Sequence, residues 1–454
     1  MPRTAYDRAS LRSPALPNPL TPLSTLLGCA LALPTPQDPG APAPQQQQPQ
    51  EQEPEPQART GRATRGDDVP EDLAHQRSRH HITGDWFGWH DWLERRGVEP
   101  RMALVTDASW LAAGGVDERS TALRSLLDIE CDVDGGRLLG WHGARLYVDV
   151  QLQNGPDGSR DTGDFQVYSN IDGPNRRQLA QLFVEQTLFA GALRCKLGKS
   201  DANTDFAYVE HGLQHVHSSF GFAPTVLGLP TYPDPSFGFA TFVEPGGNLH
   251  FAGGVYDGAT QAGLATGPRG PRTLFGAPQD LFVVGELGMY WQRDGTRPGH
   301  FGLGAWRHTG QFARQGGGVD DGAQGYYLIA DQVLWRDERA PDANGQLGAF
   351  VQYGFADPDV SVVEHYVGCG ATWTAPFAQR PRDACGVGVA AALWRDRPGE
   401  VLQGTGEVAV ELFYNFVVTD WLRFKPDLQW IQNPGGQPGV DDAWVLTLRI
   451  AMDL

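Results

Sequence analysis

The sequence predicts an all-β fold: an antiparallel transmembrane β-barrel of about sixteen strands, preceded by a short N-terminal helix and a disordered linker. Three observations predict it. From Arg101 onward apolar and polar residues alternate with period two, in segments close to the roughly 9–11 residues that a tilted membrane-crossing strand needs. The apolar faces carry aromatic residues near their ends, as in an interfacial girdle. The connections between segments mostly alternate between short and long, as a barrel with tight turns at one end requires.

The elements follow in order. Residues 1–33 read as a signal peptide: Arg3, Arg8 and Arg12 precede the apolar run LSTLLGCALAL, and Ala30-Leu31-Ala32 offers a small-residue cleavage pattern. Residues 34–80 are rich in Pro, Gln and Glu, which cannot bury enough apolar area to offset chain entropy; they read as a disordered linker. Residues 81–100 hold a short amphipathic helix, with Asp85 as its cap, Trp86, Trp89, Leu93 and Arg96 at helical spacing, and Gly97 as its stop.

Residues 101–454 form the barrel. In GEVAVELFYNF, Val408, Val410, Leu412, Tyr414 and Phe416 share one face, opposite Glu407, Ala409, Glu411, Phe413 and Asn415. In WLRFKPDLQWIQ, Leu422, Phe424, Leu428 and Trp430 oppose Arg423, Lys425, Asp427 and Gln429. ARLYVDVQL sets Arg145, Tyr147, Asp149 and Gln151 against Leu146, Val148, Val150 and Leu152, and DAWVLTLRIAMDL sets Trp444, Leu446, Leu448 and Ile450 against Thr447 and Arg449. A soluble sandwich also alternates; a water-filled lumen explains the charged face of the long strands. Short joins fall at Ala190-Gly191, Pro245–Gly247 and Thr419-Asp420. Longer connections cover about 153–179, 200–236, 257–280 and 309–324. The segments 337–345 and 375–385 are long for turns at the short end.

Composition excludes several functions. The formal net charge is −18 and the pI near 5.0, which argues against a nucleic-acid partner. Cys131, Cys195, Cys369 and Cys385 are scattered with no C-x-x-C pair, so zinc is not indicated, and a Cys369–Cys385 disulfide is left open. The stretch KLGKSDANTDFAYVEHGLQHVHSSFG (196–221) concentrates polar residues. His211, His215 and His217 combine two spacings that suit neither one helix nor one strand face as a metal set. Ser218 and Ser219 lack a nucleophile elbow. GGGV at 316–319 lacks the strand–helix context of a phosphate cradle. No enzyme and no cofactor is expected. A connection of this length is functional or disordered; in a wide barrel it can fold inward and line a constriction.

The segment LFVEQTLFAGALRCKLGKSDANTDFA, followed by SSFG and PTYPDPSFG, resembles the carbohydrate-selective porins of the OprB family. So do GDWFGWHDWLERRGV near the start and PDLQWIQNPGG with DDAWVLTLRIAMDL at the end; the resemblance spans about Ile82 to Leu454. It departs at Phe87, where a Gly is usual, at Trp89-His90, and at Leu454, where an aromatic is common. It implies an outer-membrane porin of a Gram-negative-type bacterium, passing mono- or oligosaccharides by facilitated diffusion. Outer-membrane lipid is the surrounding partner, and a homotrimer is a family expectation alone. A sugar path needs paired donors and acceptors and an apolar ring face. The candidates are Glu185, Arg194, Lys196, Lys199, Asp201, Asn203, Asp205 and Phe220, with Phe206 and Tyr208 as further stacking surfaces; Glu185 has ambiguous phase, and Asp201-Ala202-Asn203 is also good turn chemistry. Two other readings stay open: a general, non-selective porin, and a secreted β-rich polysaccharide-binding protein.

Overall fold

The computed structural model describes residues 84, 86–246, 248–292, 297–337, 345–395 and 402–454. The expectations for 1–33 and 34–80, and Asp85 as a cap, lie outside them. Sixteen strands follow the N-terminal helix α1 (Trp89–Glu94). They are β1 (Val98–Gly115), β2 (Thr121–Asp134), β3 (Ala144–Asn154), β4 (Arg176–Leu188), β5 (Leu193–Ser200) and β6 (Ser236–Val243). Then come β7 (Leu249–Asp257), β8 (Leu281–Trp291), β9 (Gly299–Ala313), β10 (Val319–Arg336) and β11 (Gln346–Ala356). The last five are β12 (His365–Thr374), β13 (Ala384–Leu393), β14 (Gly406–Val417), β15 (Leu422–Gln432) and β16 (Asp441–Asp453). Each strand pairs antiparallel with its sequence neighbours, and β1 pairs with β16 from Ala103↔Asp453 to Gly115↔Asp441, so the sheet closes without an edge. Closure satisfies every ladder, the condition for a sheet to cross hydrocarbon. Among the described residues no helix is long and apolar enough to do so.

The two faces separate as the alternation predicts. Leu123, Leu182, Leu197, Leu287, Leu412 and Leu446 are exposed on the outside. Asp107, Arg124, Asp149, Glu407, Glu411, Lys425 and Arg449, on alternate positions, are buried inside. Trp110 and the Trp430–Trp444 pair mark one rim of the outer surface, and Trp335, Trp373 and the Tyr414–Phe416 pair the other. The end that carries β1's start and β16's close has the tight turns, including 189–192 and 418–421; it is the periplasmic end by the barrel rule.

Two sequence expectations shift, and the pairing left open for Cys369 and Cys385 is answered. The connection placed at 309–324 shrinks to 314–318, because β9 and β10 run on past the apolar band with Gln311, Ala313 and Gln324 on their outer face. Cys369 and Cys385 are free thiols; they face Val389 and Trp373 across the β12–β13 ladder, four rungs apart. The helix starts only at Trp89, behind a turn in which Phe87 and Gly88 adopt left-handed backbone. Gly97 does end it, at φ +79°.

Candidate functional site: a lumen narrowed by infolded loops

The connection 201–235 crosses the lumen. At its root the Asp201 carboxylate accepts from the Asn203 amide at 2.8 Å, and from Thr231 Oγ1 and the Tyr232 amide at 2.9 and 3.0 Å. One side chain thus ties together the two ends of the loop. Burial pushes this carboxyl up to about 6, against those three hydrogen bonds, which hold it down. The middle of the loop is fastened to the far wall. Glu411 on β14 accepts from the Val216 and His217 amides at 2.7 and 2.9 Å. Thr372 donates to His211 O at 2.9 Å, Tyr366 to Ser219 O at 2.6 Å, Gln352 to Phe220 O at 3.2 Å, and Lys425 to Gln214 O at 2.9 Å. Buried backbone groups need such partners, and the wall side chains supply them.

Glycines on the inward face make room. A Cβ on Gly348 would lie 2.2 Å from the His211 ring, and one on Gly388 2.6 Å from Phe220. Phe220 packs with His215, centroids 4.5 Å apart, and His215 meets Phe350 and Phe413 edge-on at 5.4 and 5.0 Å. The three histidines of the 196–221 stretch are therefore packing groups: His215 sits in an aromatic nest, and His217 Nδ1 accepts from the Ser219 amide. Burial lowers His217 to about 4, so it is neutral at pH 7.

A second loop folds in that the sequence reading located but left outside. Residues 155–175 reach across to Glu407, which accepts from the Phe165 and Gln166 amides at 2.7 and 2.9 Å. Gln429 donates to Tyr168 O at 2.8 Å, Ser169 Oγ donates to Asp107 at 2.7 Å, and Arg124 pairs with Asp172 at 2.6 Å. The two loops hydrogen-bond to each other, Asn170 N to Val216 O at 2.8 Å and Ser218 N to Val167 O at 3.1 Å. A third connection, 258–280, closes on the first: Thr266 Oγ1 donates to Asp234 O at 2.9 Å. The available signal was the string of inward carboxylates, guanidinium groups and amides on β1, β2, β14, β15 and β16. Such groups are costly to bury without partners, and the partners are loop backbone.

The eight predicted residues divide. Lys199, Asp201, Asn203 and Phe220 are buried anchors. Lys199 Nζ donates to the carbonyls of Leu179 and Gly267, and Asn203 Nδ2 to Phe206 O at 3.0 Å. Gly198 adopts φ +140° within an unshifted β4–β5–β6 register, and Lys196 and Lys199 on either side of it are both buried; a Cβ on Gly198 would lie 2.3 Å from Leu182 O. The other four come together. Arg194 Nη1 lies 2.7 Å from Glu185 and 3.3 Å from Asp205, and Lys196 Nζ 2.5 Å from Asp205. Glu185 faces inward because of a register shift near Ala180-Gln181, the irregularity that made its phase ambiguous.

Aromatic faces adjoin this network. Arg194 lies 3.7 Å over Phe242, and Lys196 4.5 Å over Phe183. Phe183 packs on Tyr147 at 5.2 Å, and Arg145 caps Tyr147 at 5.2 Å while pairing with Asp132 at 2.5 Å. Sequence reasoning did not select Tyr147, Phe183, Phe242, Arg145 or Asp132 for the path. Inward phase in β2–β6 was their only mark. Ion pairs in the strip join three cations (Arg145, Arg194, Lys196) to three carboxylates (Asp132, Glu185, Asp205), and a further carboxylate, Glu130, hydrogen-bonds with the Tyr147 hydroxyl near Arg101.

A closed sixteen-strand barrel with a charged interior and loops folded into its lumen defines an outer-membrane porin. Comparison with known proteins specifies it. The description "Carbohydrate-selective porin, OprB family" matches residues 119–454, and the chain belongs to that family. It is 26% identical to Porin B of Pseudomonas aeruginosa over 421 residues, 81% of this chain and 90% of that one. It is 22% identical to the putative porin QuiX of Acinetobacter baylyi over 419 residues, 82% and 92% of the two chains. The high-pH structure of Pseudomonas putida OprB superposes with a TM-score of 0.73 at 22% identity, over 83% of this chain and 99% of that one. The protein is an outer-membrane channel of a Gram-negative bacterium.

Proposed function

We propose that sugars cross the barrel along the charge-balanced aromatic strip, in a pore that the loops 201–235 and 155–175 narrow. The observation that carries this reading is the strip's composition. Three ion-paired cations offset three carboxylates above the buried rings of Tyr147, Phe183 and Phe242, and Glu130 on the Tyr147 hydroxyl is matched by Arg101. A neutral polyhydroxylated solute gains from alternating donors and acceptors, whereas an ion gains from one sign of charge. Several weak contacts in succession let the solute leave as readily as it enters.

Among the four ion-paired residues of the predicted set, Arg194 is the most open to water, with its side chain 34% exposed, followed by Glu185 at 10%. Lys196 and Asp205 hold those two in place. Lys199, Asp201, Asn203 and Phe220 act on flux through the position of the loop. The apolar outer band contacts outer-membrane lipid, and a homotrimer is part of this proposal by family resemblance.

Liposome swelling with the detergent-refolded protein tests the reading. Glucose, a disaccharide and an amino acid of similar mass are compared. Faster swelling with the sugars than size predicts supports it. Swelling ordered by size alone rejects it in favour of a general porin.

A further inference from the structure

We propose that His250, Glu286 and His300 form a site for a divalent transition-metal ion on the lumen wall, below the infolded loop. The three residues stand on the adjacent strands β7, β8 and β9, all facing inward and each only 6% exposed. One ligand atom from each lies within 4.8 Å of the other two. His250 Nε2 is 3.1 Å from Glu286 Oε1, and the two imidazole centroids are 5.6 Å apart.

Four further features favour a metal over a plain ion pair. His300 Nε2 is buried and has no hydrogen-bond partner, an arrangement that native structures rarely leave unexplained. Asp331 Oδ2 lies 3.5 Å from His300 Nδ1. A carboxylate on one ring nitrogen orients the other towards a metal, the outer-shell partner that ligating histidines usually have. The Tyr290 ring stacks on His300 at 4.4 Å and 17° and fixes its plane. Gly288 leaves the space that the His250 ring occupies; a Cβ there would lie 1.9 Å from it.

Two imidazoles and a carboxylate suit Zn²⁺, Ni²⁺ or Cu²⁺ rather than Ca²⁺ or Mg²⁺, which prefer all-oxygen cages. Three protein ligands leave a position for water or solute. The same Glu286 accepts from the Ala207 amide at 3.1 Å and from Tyr327 Oη at 2.7 Å. The metal would therefore sit on the carboxylate that holds the root of the 201–235 loop, and would brace that loop. This inference does not depend on which solute the pore passes.

The test uses the full refolded protein, stripped with EDTA and titrated with Co²⁺ alone. We expect one equivalent with visible d–d absorption, displaced by Zn²⁺. His250→Gln and Glu286→Gln should each weaken binding at least tenfold, while His90→Ala, on helix α1, leaves it unchanged. Heat-modifiable migration verifies that each variant is folded. Zn²⁺ should also raise the temperature of that transition in the parent protein and not in Glu286→Gln, a comparison that needs only the near-isosteric variant. Absence of the Co²⁺ spectrum, or equal binding by the parent and both lumen variants, overturns the proposal.

Discussion

Glu411 and His217, 194 residues apart in sequence, meet in the lumen, where the carboxylate accepts the His217 amide at 2.9 Å. The same carboxylate takes the Val216 amide at 2.7 Å. Leaving two buried amides without an acceptor costs about 1–3 kcal/mol each. Glu411→Ala should therefore free the middle of the 201–235 loop without opening the barrel. Single-channel conductance in planar bilayers should rise, and the preference for sugars over size-matched solutes should fall. Unchanged conductance in a folded variant would show that the other wall contacts hold the loop alone.

Gly388 offers a steric route to the same end. A side chain there would enter the ring of Phe220, whose nearest atom lies 2.6 Å from the Cβ position. Gly388→Val should displace Phe220 and raise conductance. The double variant Gly388→Val/Phe220→Ala has room for the new side chain and should return towards the parent value. Additive effects in the double variant would mean that the two residues do not act through contact.

The loop should also respond to acid. Burial depresses His217 to about 4, below its ordinary value near 6.5. A depressed imidazole favours the docked loop fully above the unfolded value, and this contribution is lost as pH falls from about 6.5 towards 4. Asp201 runs the other way: burial raises it to about 6, so its ionisation opposes docking as pH rises from about 4 to 6. The two windows overlap. Protease sensitivity of the loop, measured from pH 7 to 4, should rise less steeply in the parent than in Asp201→Asn. His217→Gln should remove the part of the rise due to the imidazole. A profile unaffected by His217→Gln would place the titration elsewhere.

The barrel was legible because its physics is local. Alternation fixes inside and outside residue by residue, and the inward and outward sets assigned to β3, β14, β15 and β16 are those in the structure. Glu185 and Lys199 were harder, since a register shift at Ala180-Gln181 and the positive-φ backbone of Gly198 break the period. Contacts between distant segments had no local mark. Nothing in Glu407 by itself says that it receives the amides of Phe165 and Gln166, more than 240 positions earlier. The same holds for the meeting of His250, Glu286 and His300, which lie 36 and 14 residues apart and join only through the register of β7, β8 and β9.

The charge balance of the strip gives the sharpest test of the sugar path. Arg194 pairs with Glu185 and Asp205 and lies over Phe242. Arg194→Gln keeps a donor of similar reach but leaves the strip one cation short. Potassium chloride reversal potentials should then shift towards cation selectivity, and the shift should shrink at high salt as screening grows. Phe183→Ala removes the buried ring on which Lys196 rests, and no charge. It should lower sugar flux several-fold while leaving salt conductance and reversal potential near the parent values. Asn203→Ala loosens an anchor and should change sugar flux and salt conductance together. If Phe183→Ala also changes the two in proportion, the ring acts as packing and the path lies elsewhere in the lumen. If only sugar flux falls, Phe183 acts by holding Lys196 and Arg145 along the path of the solute.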